Sequence, residues 1–169
     1  MKIRHKAAKV WYLEIRNPKT RVIEDPDFKI LKQFPVEFEQ YRKIYTEVGG
    51  QWNWANRLIL NYIELKSILD DPENEIYYCY YKGAFVGYFE LDLHKEDVEL
   101  VYFGLSPNYI GKGLGNIMIQ GVIRKVQQLN SPRLWLHTCE FDSPQALSFY
   151  IKSGFVVFNE KIETQVIIE

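Results

Sequence analysis

The sequence is poor in the residues that build cross-linked or metal-held scaffolds. It has two cysteines, Cys79 and Cys139, and three histidines, His5, His94 and His137. Thiols so few and so far apart make neither a disulfide framework nor a four-ligand zinc site, and no H-x-x-x-H spacing occurs. A dominant charge is missing too: 21 basic residues face 22 acidic ones, which argues against a nucleic-acid binder or a polybasic membrane binder. No apolar run approaches the roughly 20 residues that cross a bilayer. The opening "MKIRHKAAKVWYLEIR" starts basic, but Lys9 and Glu14 interrupt any apolar segment of a signal peptide. The expectation is a soluble protein of the reducing cytoplasm, without metal and without nucleic-acid or membrane partners.

What is present suits one domain spanning 1–169, long enough to bury a core unaided. Aromatics are abundant, with twelve tyrosines and four tryptophans, so any single aromatic is first of all packing material. "AKVWYLEIR" (8–16) reads as a strand ended by Asn17-Pro18, and "FKILKQF" (28–34) alternates like a short edge strand. Phe38, Tyr41, Ile44, Tyr45 and Val48 follow at helical spacing until Gly49-Gly50, and a second helix is predicted at about 56–70. Strands are expected at 75–81, 84–93 and 99–105, the first two joined by a Lys82-Gly83 turn. After a glycine loop come a helix from Leu114 to Leu129, a strand at 133–139 and a helix at 143–153 closed by Gly154. "FVVFN" and "TQVIIE" read as a final strand pair. The fold class is α/β: one mixed, mostly antiparallel sheet. Its order is strand, two helices, three strands, helix, strand, helix, two strands.

The loop "GKGLG" (111–115) stands where strand 99–105 hands over to a helix. Free N–H groups, a positive dipole end and the absence of side chains make such a junction an anion site. A Walker A loop requires Lys-[Ser/Thr], whereas Lys112 precedes Gly113. A Rossmann fingerprint requires G-x-G-x-x-G in the first strand–helix unit, and here the spacing is G-x-G-x-G after a meander. The remaining readings are an anion loop of another kind or a plain tight turn.

"YIGKGLG" after "ELVYFGLSP" resembles the acetyl-CoA loop of the GNAT superfamily, the GCN-related N-acetyltransferases. The family pattern [QR]-x-x-G-x-[GA] falls on Ile110, Gly111, Lys112, Gly113, Leu114 and Gly115. About thirty residues on, "FDSPQALSFYIKSGF" resembles the family helix D-N-x-x-A-x-x-x-Y-x-x-x-G-F. "GQWNWANR", "GYFEL" and "WLHTC" are further similar to a bacterial subgroup. Ile110 stands where Gln or Arg is usual, and Ser143 where Asn is usual. Ser143-Pro144 is also a plain helix start.

The resemblance implies a fold and a chemistry. Strands 99–105 and 133–139 would run side by side and splay, with pantetheine pairing along the backbone of Phe103 and Leu105. The pyrophosphate of acetyl-CoA would rest on N–H groups of Gly111 to Asn116. Lys112 would add charge, or simply be a solvated loop lysine, and Ser143 would touch the cofactor. A primary amine, on a small molecule or peptide, would attack the thioester directly. Such an amine is neutral about once in 2,500 molecules at pH 7, a deficit of roughly 4.6 kcal/mol, so a base is expected. Glu99 is the first candidate, sharing a strand face with Val101, Phe103 and Leu105, and Glu90 the second. Tyr150, on the family's tyrosine position, would donate to the leaving thiolate, or be core. A strand N–H would meet the oxyanion. A covalent Cys139–His137 route is rejected: two strand positions lie roughly 6–7 Å apart, long for a nucleophile and its base.

Glu90, Asp92, Glu96, Asp97, Glu99, Glu140 and Asp142 would draw a cationic acceptor, or form a solvated rim. Trp52, Trp54 and Tyr62 would line its pocket, or pack the first helices. The competing reading is a non-catalytic acyl-CoA-binding module of the same fold. A homodimer is left open.

Overall fold

Seven strands form one sheet in the order β2-β3-β4-β5-β6-β1-β7. The computed structural model describes residues 1–21 and 24–169. Along the chain these strands are β1 (Ile3–Arg16), β2 (Phe28–Gln33), β3 (Asn74–Tyr81), β4 (Ala84–Asp92), β5 (Val98–Leu105), β6 (Arg133–Cys139) and β7 (Val156–Ile168). The helices are α1 (Phe38–Gly49), α2 (Tyr62–Leu69), α3 (Leu114–Gln128) and α4 (Ala146–Lys152). Every strand pair is antiparallel except β5 and β6. This is an α/β domain with a mixed sheet, as the sequence reading expected.

Order and boundaries differ from that reading in places: β2 stands before the two helices, where the expected order has a single strand, and α4 begins at Ala146 rather than 143. The two final strands are one, β7, because its whole length pairs with β1 rather than folding back on itself. β1 correspondingly starts at Ile3, recruited by a partner more than 150 positions away. The second helix starts at Tyr62, where Asn61 and Glu64 form a reciprocal capping box. Leu58 and Ile59 belong to the turns before it.

Apolar side chains divide over the two sheet faces. On one face α3 presents Leu114, Met118, Val122 and Val126, at helical spacing, to Leu13, Phe89, Leu91 and Leu100. On the other, Tyr41, Ile44, Tyr45 and Val48 of α1 and Leu65 and Leu69 of α2 cover Ile76, Tyr78 and Tyr88. Each such side chain contributes about 1.5–3 kcal/mol when fully buried.

Two irregularities shape the centre. β5 and β6 pair only at Val98–Leu134 and Glu99–Trp135, then separate. The β4–β5 ladder slips between Glu90–Tyr102 and Leu91–Leu100, leaving Val101 as an extra residue. The bulge inverts the alternation: Leu100 and Phe103 both pack with the α3 cluster, and Tyr102 with the α1 cluster. Glu99, between Val98 and Leu100 of the α3 cluster, therefore faces the α1 side with Tyr102. It does not share a face with Phe103 and Leu105 as expected from simple alternation.

Candidate active site

Where β5 and β6 part, a cavity of about 380 Å³ opens between them. Phe103 and Leu105 on one strand and Leu136 on the other form its walls. Its size lies within the range of small-ligand sites.

One end of the cavity is the glycine loop. Gly111 (φ 80°) and Gly113 (φ 79°) are left-handed, a conformation costly for residues with a Cβ. Gly113 is the N-cap of α3, with no side-chain cap, and no acidic residue occupies the first turn. The first N–H groups of α3 therefore lack side-chain partners at the positive end of its dipole. Ile110, Gly111, Gly113, Gly115 and Asn116 all line the cavity. Leu114 does not: its side chain is core, so only its backbone can serve there. Lys112 is absent from the lining as well, its Nζ lying 5.4 Å from the Tyr109 ring centre. Ile110, 43% exposed, presents an apolar side chain where the family pattern has a polar one.

α4 closes one side with Ala146, Phe149 and Tyr150. The Tyr150 ring is packed edge-on against Phe103 and Phe155, with centroids 6.0 and 5.6 Å away. Its hydroxyl has no hydrogen-bond partner among the described residues, and the residue lines the cavity. Burial, with a smaller effect of Asp142, pushes its phenol pKa well above the usual value, so the group stays protonated. Ser143 also lines the cavity, but α4 starts later, at Ala146. The Ser143 Oγ accepts a weak bond from the Gln145 N–H at 3.3 Å.

Tyr45, Trp52, Trp54 and Tyr102 give the lining an aromatic part. Trp54 and Tyr102 rings lie 5.0 Å apart. Tyr62 is elsewhere, packed on Phe38 at 4.7 Å. Asp142 is the one carboxylate among the described lining residues. Its Oδ2 accepts from Thr138 Oγ1 (2.7 Å) and the Cys139 N–H (2.9 Å), and its Oδ1 from Trp54 Nε1 (3.4 Å).

Neither carboxylate candidate for the base lines the cavity. Glu90 is fully buried, accepting from Tyr41 Oη and Arg57 Nη2. Glu99 sits at the closed end of the wedge, its carboxyl pushed up by burial and then by Asp92, against Arg57 and Lys95. Its Oε1 lies 3.8 Å from Nε2 of His137, which does line the cavity. His137 keeps 45% of its side chain exposed, yet crowding by its neighbours lowers its pKa, opposed by Asp142 and Glu163. The neutral imidazole is thus favoured. Sequence reasoning weighed His137 only as a partner for Cys139, because nothing local marks which strand end opens onto a cavity. Cys139 lines it too, but burial raises its thiol pKa, which disfavours the thiolate.

The acidic cluster is not a single patch. Glu90 is inside, Asp97 pairs with Arg133, and Asp92 holds His94.

The fold has relatives among solved structures. A functionally unknown conserved protein from Staphylococcus epidermidis superposes with TM-score 0.63 at 13% identity, covering 96% of this chain and 62% of that one. A GCN5-related N-acetyltransferase from Sphaerobacter thermophilus gives 0.65 at 15%, covering 95% and 51%. The chain thus spans less than two thirds of the length of these two. The aminoglycoside acetyltransferase meta-AAC0020, from an uncultured soil metagenomic sample and in complex with sisomicin, gives 0.60 at 13%, covering 76% and 88%. At such identities the likeness concerns the fold alone. No curated protein matches the chain. The model of the acetyltransferase (GNAT) family matches residues 33–155, from the end of β2 through α4 and so across the whole wedge. With most of its length, the glycine loop and α4 inside that match, the chain belongs to the acetyltransferase (GNAT) family.

Proposed function

We infer that this protein transfers an acetyl group from acetyl-CoA to a primary amine, without a covalent enzyme intermediate. The observation that carries the reading is that the glycine loop and Tyr150, whose hydroxyl has no partner among the described residues, line one cavity between separated strands. Acyl-CoA fits the residues present. The first N–H groups of α3 and the left-handed Gly111 and Gly113 suit a diphosphate, and the unpaired edges of Phe103 and Leu105 suit a pantetheine amide. Asn116 and Ser143 border the same path. Bound there, the thioester supplies an activated acetyl group.

The chain's own residues then act on charge and protons. The aromatic part of the lining and Asp142 receive the amine, in a site whose single carboxylate favours a cation. His137, neutral and on the cavity, takes the amine proton as the nitrogen attacks, and Glu99 behind it stabilises the imidazolium. Glu90, held by Arg57 and Tyr41, supports the wall instead of acting as base. Tyr150 gives its phenolic proton to the sulfur as the carbon–sulfur bond breaks. A backbone N–H near the Val101 bulge meets the oxyanion.

The test is thiol release from acetyl-CoA over a panel of amines, paired with calorimetric binding of coenzyme A. Aminoglycosides belong in the panel, since a solved relative by fold was captured with sisomicin. Amine-dependent release supports transfer. Coenzyme A binding with no turnover on any amine leaves an acyl-CoA-binding module, and no binding overturns both readings.

A further inference from the structure

β7 is an edge strand of 13 residues with no proline, and Val156, Phe158 and Ile162 on it are 65%, 43% and 71% exposed. Long exposed edges of this kind are templates for pairing with another strand, and the charges on them, here Glu160, Lys161 and Glu163, restrict which strand fits. Part of the strand also lacks support. β6 follows β1 only as far as Val10, so Ile3–Ala8 and Glu163–Ile168 pair with each other alone, as a two-stranded ribbon. Such a ribbon is marginal in water without a third strand.

The hydrogen-bond pattern states what the free edge offers. Lys2 and Glu169 exchange both backbone bonds, each 3.0 Å. From there the β1–β7 register runs unbroken to Tyr12–Asn159. Bonded pairs alternate along antiparallel strands. The odd-numbered residues of β7 from Asn159 to Ile167 therefore bond to β1. Glu160, Ile162, Thr164 and Val166 turn their N–H and C=O groups outward.

We propose that two copies of this chain join along β7, antiparallel, with Ile162 opposite the partner's Ile162. Outward-turned residues must face outward-turned residues, so a two-fold axis near mid-strand passes through residue 161, 162 or 163. An axis at Lys161 opposes two lysines, and one at Glu163 opposes two glutamates. The axis at Ile162 sets each Lys161 against the partner's Glu163, twice, at the non-hydrogen-bonded positions where side chains come closest. Both residues are already oriented by Tyr12: its hydroxyl donates to Glu163 at 2.6 Å, and Lys161 Nζ lies 5.0 Å from its ring centre. The same register brings Asn159 opposite the partner's Gln165. Each ribbon gains a third strand from the part of the partner's β7 that is anchored to its own sheet. Gln165 and Val166, which line the cavity, are thereby held in place.

Sedimentation of the full chain across micromolar concentrations should give twice the 20.1 kDa of one chain. Lys161→Glu opposes like charges twice and should weaken the dimer about tenfold or more, and Lys161→Glu with Glu163→Lys should restore it. Ile162→Pro removes an outward N–H and no bond to β1, so it should give monomers with unchanged circular dichroism. A native chain that is monomeric throughout, or a dimer indifferent to both Lys161→Glu and Ile162→Pro, overturns the proposal.

Discussion

Arg57 Nη2 lies 3.1 Å from Glu90 Oε2, and the Glu90 side chain is entirely buried. Tyr41 donates to the other carboxylate oxygen, while Arg57 Nε is buried without a partner. Breaking one side of such a pair leaves an uncompensated charge inside. Glu90→Ala and Arg57→Ala should each cost about 3–5 kcal/mol, and the joint Arg57→Met, Glu90→Leu change less than either. Urea unfolding reads the difference; singles within 1 kcal/mol of the native protein would refute the account.

Tyr150→Phe keeps the ring packed on Phe103 and Phe155 and removes only the hydroxyl. The turnover number should fall about a hundredfold to ten-thousandfold, with the KM for acetyl-CoA nearly unchanged. Because burial raises the phenol pKa well above its usual value, no loss of rate from this group is expected between about pH 6 and 10. A basic limb in that window that vanishes in the variant would contradict the assignment.

His137, with its pKa lowered by burial, is deprotonated above a value under the ordinary histidine figure of about 6.5. On the proposed role, an acid limb in kcat/KM should therefore fall below about pH 6.5 and disappear in His137→Gln. Glu99→Gln should lower the rate less than His137→Gln does. The reverse ranking would return the base role to Glu99 itself.

Gly49 lies under Trp54: a Cβ there would overlap the indole ring. Gly49→Ala should displace Trp54 from its place beside Tyr102 and Asp142. Amine KM should rise severalfold while the KM for acetyl-CoA stays, because Trp54 bonds to Asp142 and takes no part in the glycine loop. Equal changes in both would indicate general loosening of α1.

His94 bridges the two turns at one end of the sheet, its Nδ1 2.6 Å from Asp92 and Nε2 2.7 Å from Asp71. These bonds raise its pKa, and the Glu73 N–H first, then His94, lower that of Asp71. The His94 contribution is complete below its unfolded value near 6.5 and is lost as pH rises through the higher folded value. That of Asp71 is present above its unfolded value, about 3.9, and is lost as pH falls through the lower folded one. Ring-proton NMR should place His94 above 6.5, and Asp71→Asn should bring it down. No change on that substitution would mean the bridge is not formed in solution.

Gly49-Gly50 illustrates how far local reading reaches. As a helix stop the pair is visible in sequence, and α1 does end there. That Gly49 also seats Trp54 depends on a fold-back of the chain that no local pattern encodes. The splay of β5 from β6 and the placing of Phe103, Gly111, Gly113 and Tyr150 on one cavity follow the resemblance, since both motifs sit at strand–helix junctions.

By itself the sequence determined most helices and strands, the glycine junction before α3 and the family. Each is written in residues a few positions apart, through periodicity, caps and turn chemistry. Only the tertiary structure decided that β1 lies between β6 and β7, since that pairing joins opposite ends of the chain. It alone showed that one extra residue at Val101 turns Glu99 to the other face, because strand alternation has a period of two. It alone engaged Glu90 with Arg57 and brought His137 to the cavity, since burial and charge partners are properties of packing.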